Sequence, residues 1–553
     1  MRLQTRYFLD KLFTFLAGMS VVLLSVVLLI VLGPMIWKGS SAVVFHGTHE
    51  FREMQRDLFE RADEKELAQE TLQVDGTRAE VYKQIDAFKK AVAIDLVAMD
   101  EQAKASYKAF SQDLKDNNVT DAAYTKARRL ARELRKVFQD ALESKDQAVI
   151  CKAMDDILAH QQDDMFKDTA FETLFEMARV FKETAGKIDL DKSHVYLEEL
   201  AQVEEILAEM LGPRPGEPVH PLIRLRYGAT RWDQAQACLQ RFNTITVWEV
   251  GPRKPGELED PNEVSPLVAV AYPRKERFVD TELEGLFGYV NEHMHDMLQP
   301  RLTVYWQYFI DDSFNSHYFG GVGPEILGTL MVTALSILFV VPFGVVAAAY
   351  LVECAGDNWT VRIIRMCINT LAGVPSIVFG LFGVAFFIMF LLPVIGMDSK
   401  ACILAASLTL AVLTLPVMIR ASEEAIRTVP RSYKEGSLAL GASGFRTFVT
   451  VTLPSALPGI LTGVILSLSR VAGETAPVLF TGAVSMGSIP KSIFDPTRTL
   501  SYGSYDMAVG DRVAMMVPHN QYGMVVTLVG LILCLNAVAI FLRGRVFKKL
   551  KGH

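Results

Sequence analysis

No stretch of the form GxxxxGK followed by Ser or Thr occurs in the 553 residues, so the chain has no Walker-type loop to cradle a nucleotide. The nearest approach, Gly487-Ser488-Ile489-Pro490-Lys491-Ser492, has the wrong spacing. Any ATP hydrolysis linked to this chain belongs to another polypeptide, and no catalytic residue is expected here. Cysteine is scarce and scattered: Cys151, Cys238, Cys354, Cys367, Cys402 and Cys534. None has the spacing of a structural zinc site. Asp189-Leu190-Asp191-Lys192-Ser193 starts like a calcium loop but lacks the glycine and the closing Glu, which leaves a polar turn. No metal, resident cofactor or nucleic-acid partner is expected. A fixed-period repeat and low-complexity tracts are also missing.

Charge is missing altogether from residues 12–37, a run long enough to cross a bilayer. A secretory signal has a shorter apolar stretch, so this run reads as a retained first transmembrane helix. Five more apolar runs follow, near 325–351, 369–392, 401–419, 457–483 and 522–542. Mean hydropathy is +0.23, high for a soluble protein, and the excess sits in these runs. The fold class expected is an all-α polytopic membrane protein with six transmembrane helices.

Positive residues of short loops stay on the cytoplasmic side. Arg2, Arg6 and Lys11 precede the first run, and Arg362 and Arg365 lie between the second and third. Arg420, Arg427, Arg431, Lys434 and Arg446 lie between the fourth and fifth, and Arg543, Arg545, Lys548, Lys549 and Lys551 follow the sixth. Six spans put all four groups on one side, with both termini cytoplasmic. The same parity places residues 38–318 outside the cytoplasm. That segment holds 36 basic against 51 acidic residues, whereas the remainder holds 20 against 12.

Three units follow: an N-terminal helix (1–37), a soluble extracytoplasmic insert (38–318) and a membrane core (319–553). Within the insert, 49–211 reads as amphipathic helices. Leu130, Leu134, Val137 and Phe138 recur at helical spacing, as do Leu197, Leu200, Val203 and Leu207. Pro and Gly cluster at 212–216 and 251–261, so 212–318 is expected to be loop- and strand-rich, with one strand at 243–250. The insert is thus mainly α-helical with an α+β part. Its acidity would repel an anion rather than gather it, which favours a docking or spacing role. Cys151 and Cys238 fall in it and are expected as free thiols.

The loop at 421–455 carries the most specific pattern. It reads Glu435-Gly436-Ser437, three residues, Gly441, nine residues, Val451, Thr452, then Leu453-Pro454. Pro430 suits the start of a short helix, with Thr428 as a nearby cap. Gly441 can end that helix in a left-handed conformation, and Ser443 can cap the next. Small residues along the helix suit a narrow groove on a partner.

In the fifth run, Arg470 falls near the middle with Glu474 four residues on. A buried Arg at the bilayer centre costs at least about 2.5–3.5 kcal/mol, so it should face a partner or a pathway. Its planar fork matches oxyanion oxygens. Ser467, Ser469 and Thr475 add small polar groups, and Pro477 frees a carbonyl. In the third run, Gly373-Val374-Pro375-Ser376 suggests a kink, and Gly380 and Gly383 a close-packed face.

Three segments, 371–383, the 435–454 loop and 453–479, together resemble the PstA-type permease family of phosphate ABC transporters, in a long form with a soluble insert after the first helix. The loop resembles the family's EAA loop, with Gly and Ser in place of the two alanines and Val in place of Ile. The resemblance implies a type I importer fold in a bacterial inner membrane. It implies a heterodimer with a PstC-like permease, a PstB-like ATPase dimer that binds ATP and magnesium, and a PstS-like phosphate-binding protein. Carried over to these positions are a substrate role for Arg470 and Glu474 and an ATPase-coupling role for Glu435, Gly436, Ser437, Gly441, Leu453 and Pro454. Another oxyanion, such as sulfate, molybdate or phosphonate, stays open. So does a sensor or signalling partner that no longer transports.

Overall fold

The structure, a computed structural model, describes residues 3–550 apart from 93–94, 117–119, 145, 187–192, 218–219, 221–223, 225–226, 251–266, 280, 315–316, 357, 485, 488 and 510–517. The expected polar turn at 189–193, the Pro/Gly cluster at 251–261, Arg2 and Lys551 lie wholly or largely outside the described residues. The chain forms two compact units, one of residues 1–45 with 303–553, the other of residues 46–302. These borders differ from those read at 37/38 and 318/319, because residues 303–314 fold back onto the start of the second span, with Val322 N donating to the Tyr308 carbonyl and Gly323 N to that of Asp311.

Among the described residues six helices are long and apolar enough to cross a membrane: Lys11–Ser40, Gly323–Cys354, Ser376–Val394, Ile403–Arg427, Gly444–Gly473 and Pro518–Lys549. The first lies within α1 (Leu3–Ser40), which packs against the final helix, α20 (Pro518–Leu550). Their approach is close because a Cβ on Gly39 would lie 2.6 Å from Val526, and one on Gly523 would lie 2.5 Å from Ala42. Small residues permit such contact where lipid gives no hydrophobic drive for helices to associate.

The expected third span is two elements rather than one. Helix α12 (Trp359–Leu371) ends before Pro375, and α13 (Ser376–Gly383) starts the crossing. Pro375 disfavours helical backbone at Val374 and so forces the break. Cβ atoms on Gly380 and Gly383 would lie 2.8 Å from Phe480 and 2.3 Å from Thr409, so these glycines serve packing. Helices α11 (Gly323–Ala349) and α14 (Ile403–Arg427) are the second and fourth spans and pack against each other.

The segment 303–322 is tied to the start of α11 by buried charge. Arg498 donates to Ser313 Oγ at 3.0 Å and to Asp312 Oδ1 at 2.6 Å, and lies 3.4 Å from Glu325. Its side chain and that of Glu325 are 3% and 1% exposed. Ser313 and Phe314 (β3) pair with Gly320 and Phe319 (β4) above this cluster. His317, in the turn between them, is buried in a left-handed conformation (φ 65°), with its carbonyl accepting from Asn520 at 2.6 Å.

The unit of residues 46–302 has two helical cores. One gathers α3 (Glu64–Val92), α8 (Ser193–Leu211), α9 (Trp232–Asn243) and α10 (Glu284–Leu298) around Phe88, Tyr196, Phe278 and Phe287. The other gathers α4 (Leu96–Asp116), α5 (Asp121–Glu143), α6 (Gln147–Leu158) and α7 (Glu172–Ala185) around Phe110, Phe166, Phe171 and Phe175. Leu134, Phe138, Leu200, Val203 and Leu207 are buried as their spacing requires, whereas Leu197 is exposed and Tyr196 takes the inward place. The strand expected at 243–250 is β1 (Thr244–Val250), antiparallel to β2 (Leu267–Pro273). Helices α9 and α10 stand in the part expected to be loops and strands. Cys151 and Cys238 are free thiols.

Charge is buried in this unit as well. Helix α2 (His49–Phe59) turns His49, Glu50 and Glu53 inward. Arg78 reaches Glu50 at 2.7 Å, Arg224 reaches Glu53 at 2.7 Å, and His49 lies 3.1 Å from Glu70. Burial opposes ionisation of Glu70, but hydrogen bonds from His49 and Arg52 outweigh it and hold its carboxyl at about 2. Gly228 (φ 97°) lies against Glu50, where a Cβ would come within 2.7 Å of its Cγ. No other residue type has both the freedom and the room for that turn.

Candidate functional site

The fifth span does not run on to residue 483. Helix α17 (Leu453–Gly473) stops at Gly473, and α18 (Ala476–Thr481) starts after two intervening residues. Gly473 is a poor helix former, and Pro477 near the start of α18 has no N–H to continue the ladder. Glu474 is extended (φ −75°, ψ 128°), and Thr475 precedes the first turn of α18. Arg470 therefore lies in the last turn of α17, not at a helix middle. A cation near a helix C-terminus is electrostatically favoured.

Arg470 Nε lies 3.4 Å from Glu474 Oε1, so the break keeps the pair together. The two side chains are 34% and 20% exposed. Among the described residues the two terminal guanidinium nitrogens of Arg470 have no further bond, which leaves its fork open. Ser501, in α19 (Leu500–Val509), donates to the Glu474 carbonyl at 3.2 Å and steadies the break.

Ser469 Oγ lies 3.1 Å from the Ile465 carbonyl and 2.9 Å from Asn536 Oδ1 in α20. The sequence reading missed Asn536, although a carboxamide alone in an apolar run is a signal in itself. Thr475 is half-buried and makes no side-chain cap. Ser467 is fully buried, and its hydroxyl has no partner among the described residues.

The loop between the fourth and fifth spans holds a short helix, α15 (Arg431–Ala439), then α16 (Gly444–Thr447) and a π-helical turn (Phe448–Thr452) leading into α17. Pro430 sits at the N-cap of α15. Thr428 does not cap α15 but closes α14, with Oγ1 donating to the Ala425 carbonyl at 2.8 Å. Gly441 takes φ 85° and ends α15, and Ser443 Oγ accepts from Arg446 N at 3.3 Å to start α16. Both match the sequence expectation.

Glu435 and Gly436 are exposed, and nothing lies within 4 Å of a Cβ placed on Gly436. Its smallness answers no need within this chain. Ser437 Oγ lies 2.9 Å from Thr447 Oγ1 and fastens α15 to α16. Leu453 and Pro454 follow the π-helical turn without a break, Leu453 N donating to the Phe448 carbonyl and Pro454 having no N–H to bond back into the turn. Leu440 and Phe445 are 91% and 80% exposed, with Tyr433 and Leu438 beside them. Such an apolar cluster at a polar loop marks a contact surface. Two sites thus stand at separate places: the open fork of Arg470 at the break in the fifth span, and the loop surface.

Residues 340–552 match the family described as the binding-protein-dependent transport system inner membrane component. The probable ABC transporter permease protein YqgI of Bacillus subtilis is 32% identical over 283 residues, which cover 49% of this chain and 92% of that protein. The phosphate transport system permease protein PstA 1 of Mycobacterium tuberculosis is 39% identical over 175 residues, 32% of this chain and 55% of that protein. The chain thus spans little more than half the length of the mycobacterial relative. PstA of Xylella fastidiosa is 30% identical over 227 residues, 41% of this chain and 77% of that protein. A solved inward-facing MetNI methionine ABC transporter shares 20% identity over 41% of this chain and 95% of that one, at a TM-score of 0.32 too low to argue from.

Proposed function

The chain belongs to the family of binding-protein-dependent transport inner membrane components, and from that membership we propose that it is the permease subunit of an ABC importer that conducts inorganic phosphate into the cytoplasm. The observation that carries the reading is the open guanidinium fork of Arg470, held beside Glu474 at a break in a membrane-spanning helix. Its free donors match the oxygens of a phosphate. Ser469, Thr475 and the newly found Asn536 line the same stretch. The relatives named for phosphate transport favour phosphate over sulfate, molybdate or phosphonate.

The loop at 421–455 faces the cytoplasm in this reading and docks on an ATPase dimer, which hydrolyses ATP in place of this chain. Glu435, Gly436, Ser437 and Gly441 shape the docking helix, and Leu453 and Pro454 join it to α17. A second permease of PstC type completes the pathway, and a PstS-type binding protein delivers phosphate from outside. Both termini are cytoplasmic, and the unit of residues 46–302 is periplasmic.

The test is Arg470→Lys, which keeps the charge and loses the fork. Phosphate uptake should fall by at least tenfold while the ATPase still assembles with the permease. Uptake at the wild-type rate would remove Arg470 from the pathway. Competition by sulfate, molybdate and phosphonate in the wild-type complex would tell the anions apart.

A further inference from the structure

We propose that the ion pair between Lys434 and Glu353 is the link through which the docking helix moves the second span, making the two residues coupling residues of the transport cycle. The proposal rests on the reading of the 421–455 loop as the ATPase-coupling element.

Helix α15 has two faces. Outward it presents Tyr433 and Leu438, continued by Leu440 and Phe445. Inward it presents Lys434 and Ser437. Ser437 joins α15 to α16 and so, along the continuous chain, to α17 with Arg470. Lys434 reaches a different helix: its Nζ lies 2.5 Å from Glu353 Oε1. The two side chains are 20% and 28% exposed, so the lysine is turned into the chain and is no free charge on the loop's rim.

Glu353 belongs to a π-helical turn, Tyr350–Cys354, that prolongs α11. The wide turn is closed by Ala355 N donating to the Tyr350 carbonyl at 2.8 Å. Such turns are uncommon and tend to mark functional places in helices. The same turn is held from a second side, since Arg365 of α12 donates to the Leu351 carbonyl at 2.9 Å. Arg365 also lies 3.3 Å from Glu423 of α14, which Arg427 approaches to 2.7 Å. The end of α11 is thus fixed to α12, α14 and α15 at one level.

Chain continuity passes a displacement of α15 to α14 through residues 428–430 and to α17 through α16. Helix α11 has no such continuity, since Lys434 and Glu353 stand 81 residues apart. Packing against α14 holds α11 along its length, and the ion pair adds a direct tie between the end of α11 and α15. A partly exposed pair adds little stability, but it fixes a distance, which is what a moving part requires. With it intact, α11, α14 and α17 shift together when the ATPases close. Without it, α15 can follow the ATPases while the end of α11 is moved only indirectly, through α12 and α14.

The experiment uses the complete transporter in proteoliposomes, with its ATPase and binding protein, and measures phosphate moved per ATP hydrolysed. Glu353→Gln and Lys434→Met should each lower that ratio at least fivefold while ATP hydrolysis continues within about twofold of wild type. The charge exchange Lys434→Glu with Glu353→Lys should bring the ratio back to within about twofold. Single variants with the wild-type ratio overturn the proposal, and so does a fall that the exchange does not repair. A wild-type complex that hydrolyses ATP with its binding protein yet moves no phosphate would instead refute the functional reading. The same variants would then be judged by the anion that the complex does move per ATP hydrolysed, with the same fall in the singles and return in the exchange.

Discussion

Replacing Arg498 by Met should destabilise the membrane unit by about 4–7 kcal/mol, and the sum comes from three contacts. Asp312 is 42% exposed, so its bond to the guanidinium is screened and contributes roughly 0–1 kcal/mol. The bond to Ser313 adds about 1 kcal/mol. The rest comes from Glu325, 1% exposed and 3.4 Å from the guanidinium, which would be left as a buried charge with no counter-ion. Breaking such a pair from one side costs about 3–5 kcal/mol, because the survivor stays desolvated. Relaxation of the side chains around Glu325 should bring the total toward the lower end. Reversible denaturation in mixed micelles, followed by tryptophan fluorescence, would read this as a change of about a thousandfold or more in the unfolding constant. A cycle with Glu325→Gln separates the pair from general damage: the double variant should recover at least about 1.5 kcal/mol relative to additivity. Arg498→Met within about 0.5 kcal/mol of wild type, or a strictly additive cycle, would refute the reasoning.

The acid response of the same cluster has a definite sign. Burial, with repulsion from Arg498, holds His317 down at about 4, against the opposing pull of Asp506 and Asp312. The unfolded chain takes up a proton near the ordinary 6.5, so stability is complete above that pH and falls between 6.5 and 4, by up to about 3 kcal/mol. His317→Asn, which tolerates the left-handed backbone, should flatten the fall in a melting-temperature series; an unchanged slope would put the acid sensitivity elsewhere.

What the sequence disclosed was whatever depends on neighbours along the chain. Six spans follow from runs of apolar residues, and the cap at Ser443 and the left-handed Gly441 follow from local turn chemistry. The break at Glu474 and Thr475 was also local, flagged by Gly473 and Pro477, but the apolar run continues through it and masked the signal. That error placed Arg470 at a helix middle. Asn536 was overlooked because its partner Ser469 stands 67 residues away. Helix α10 was read as loop although Leu286, Val290, Met294 and Met297 recur at helical spacing, since Pro and Gly nearby drew the attention. The buried face of α2 was out of reach: whether Glu50 and Glu53 point to water or inward is decided by Arg78 and Arg224, far along the chain. The same holds for Lys434, which in the sequence is only one of the basic residues marking the cytoplasmic side, since its partner Glu353 stands 81 residues away.

The account depends on a loop that meets the ATPases at the cytoplasmic face and relays their motion to the helix bearing Arg470. The direct measurement places a single cysteine by Leu440→Cys in a chain stripped of its own thiols and treats oriented vesicles with a membrane-impermeant maleimide. Labelling should occur in inside-out vesicles alone and should be blocked when the ATPase is bound. Labelling from the external face, or labelling that the ATPase leaves untouched, would contradict it.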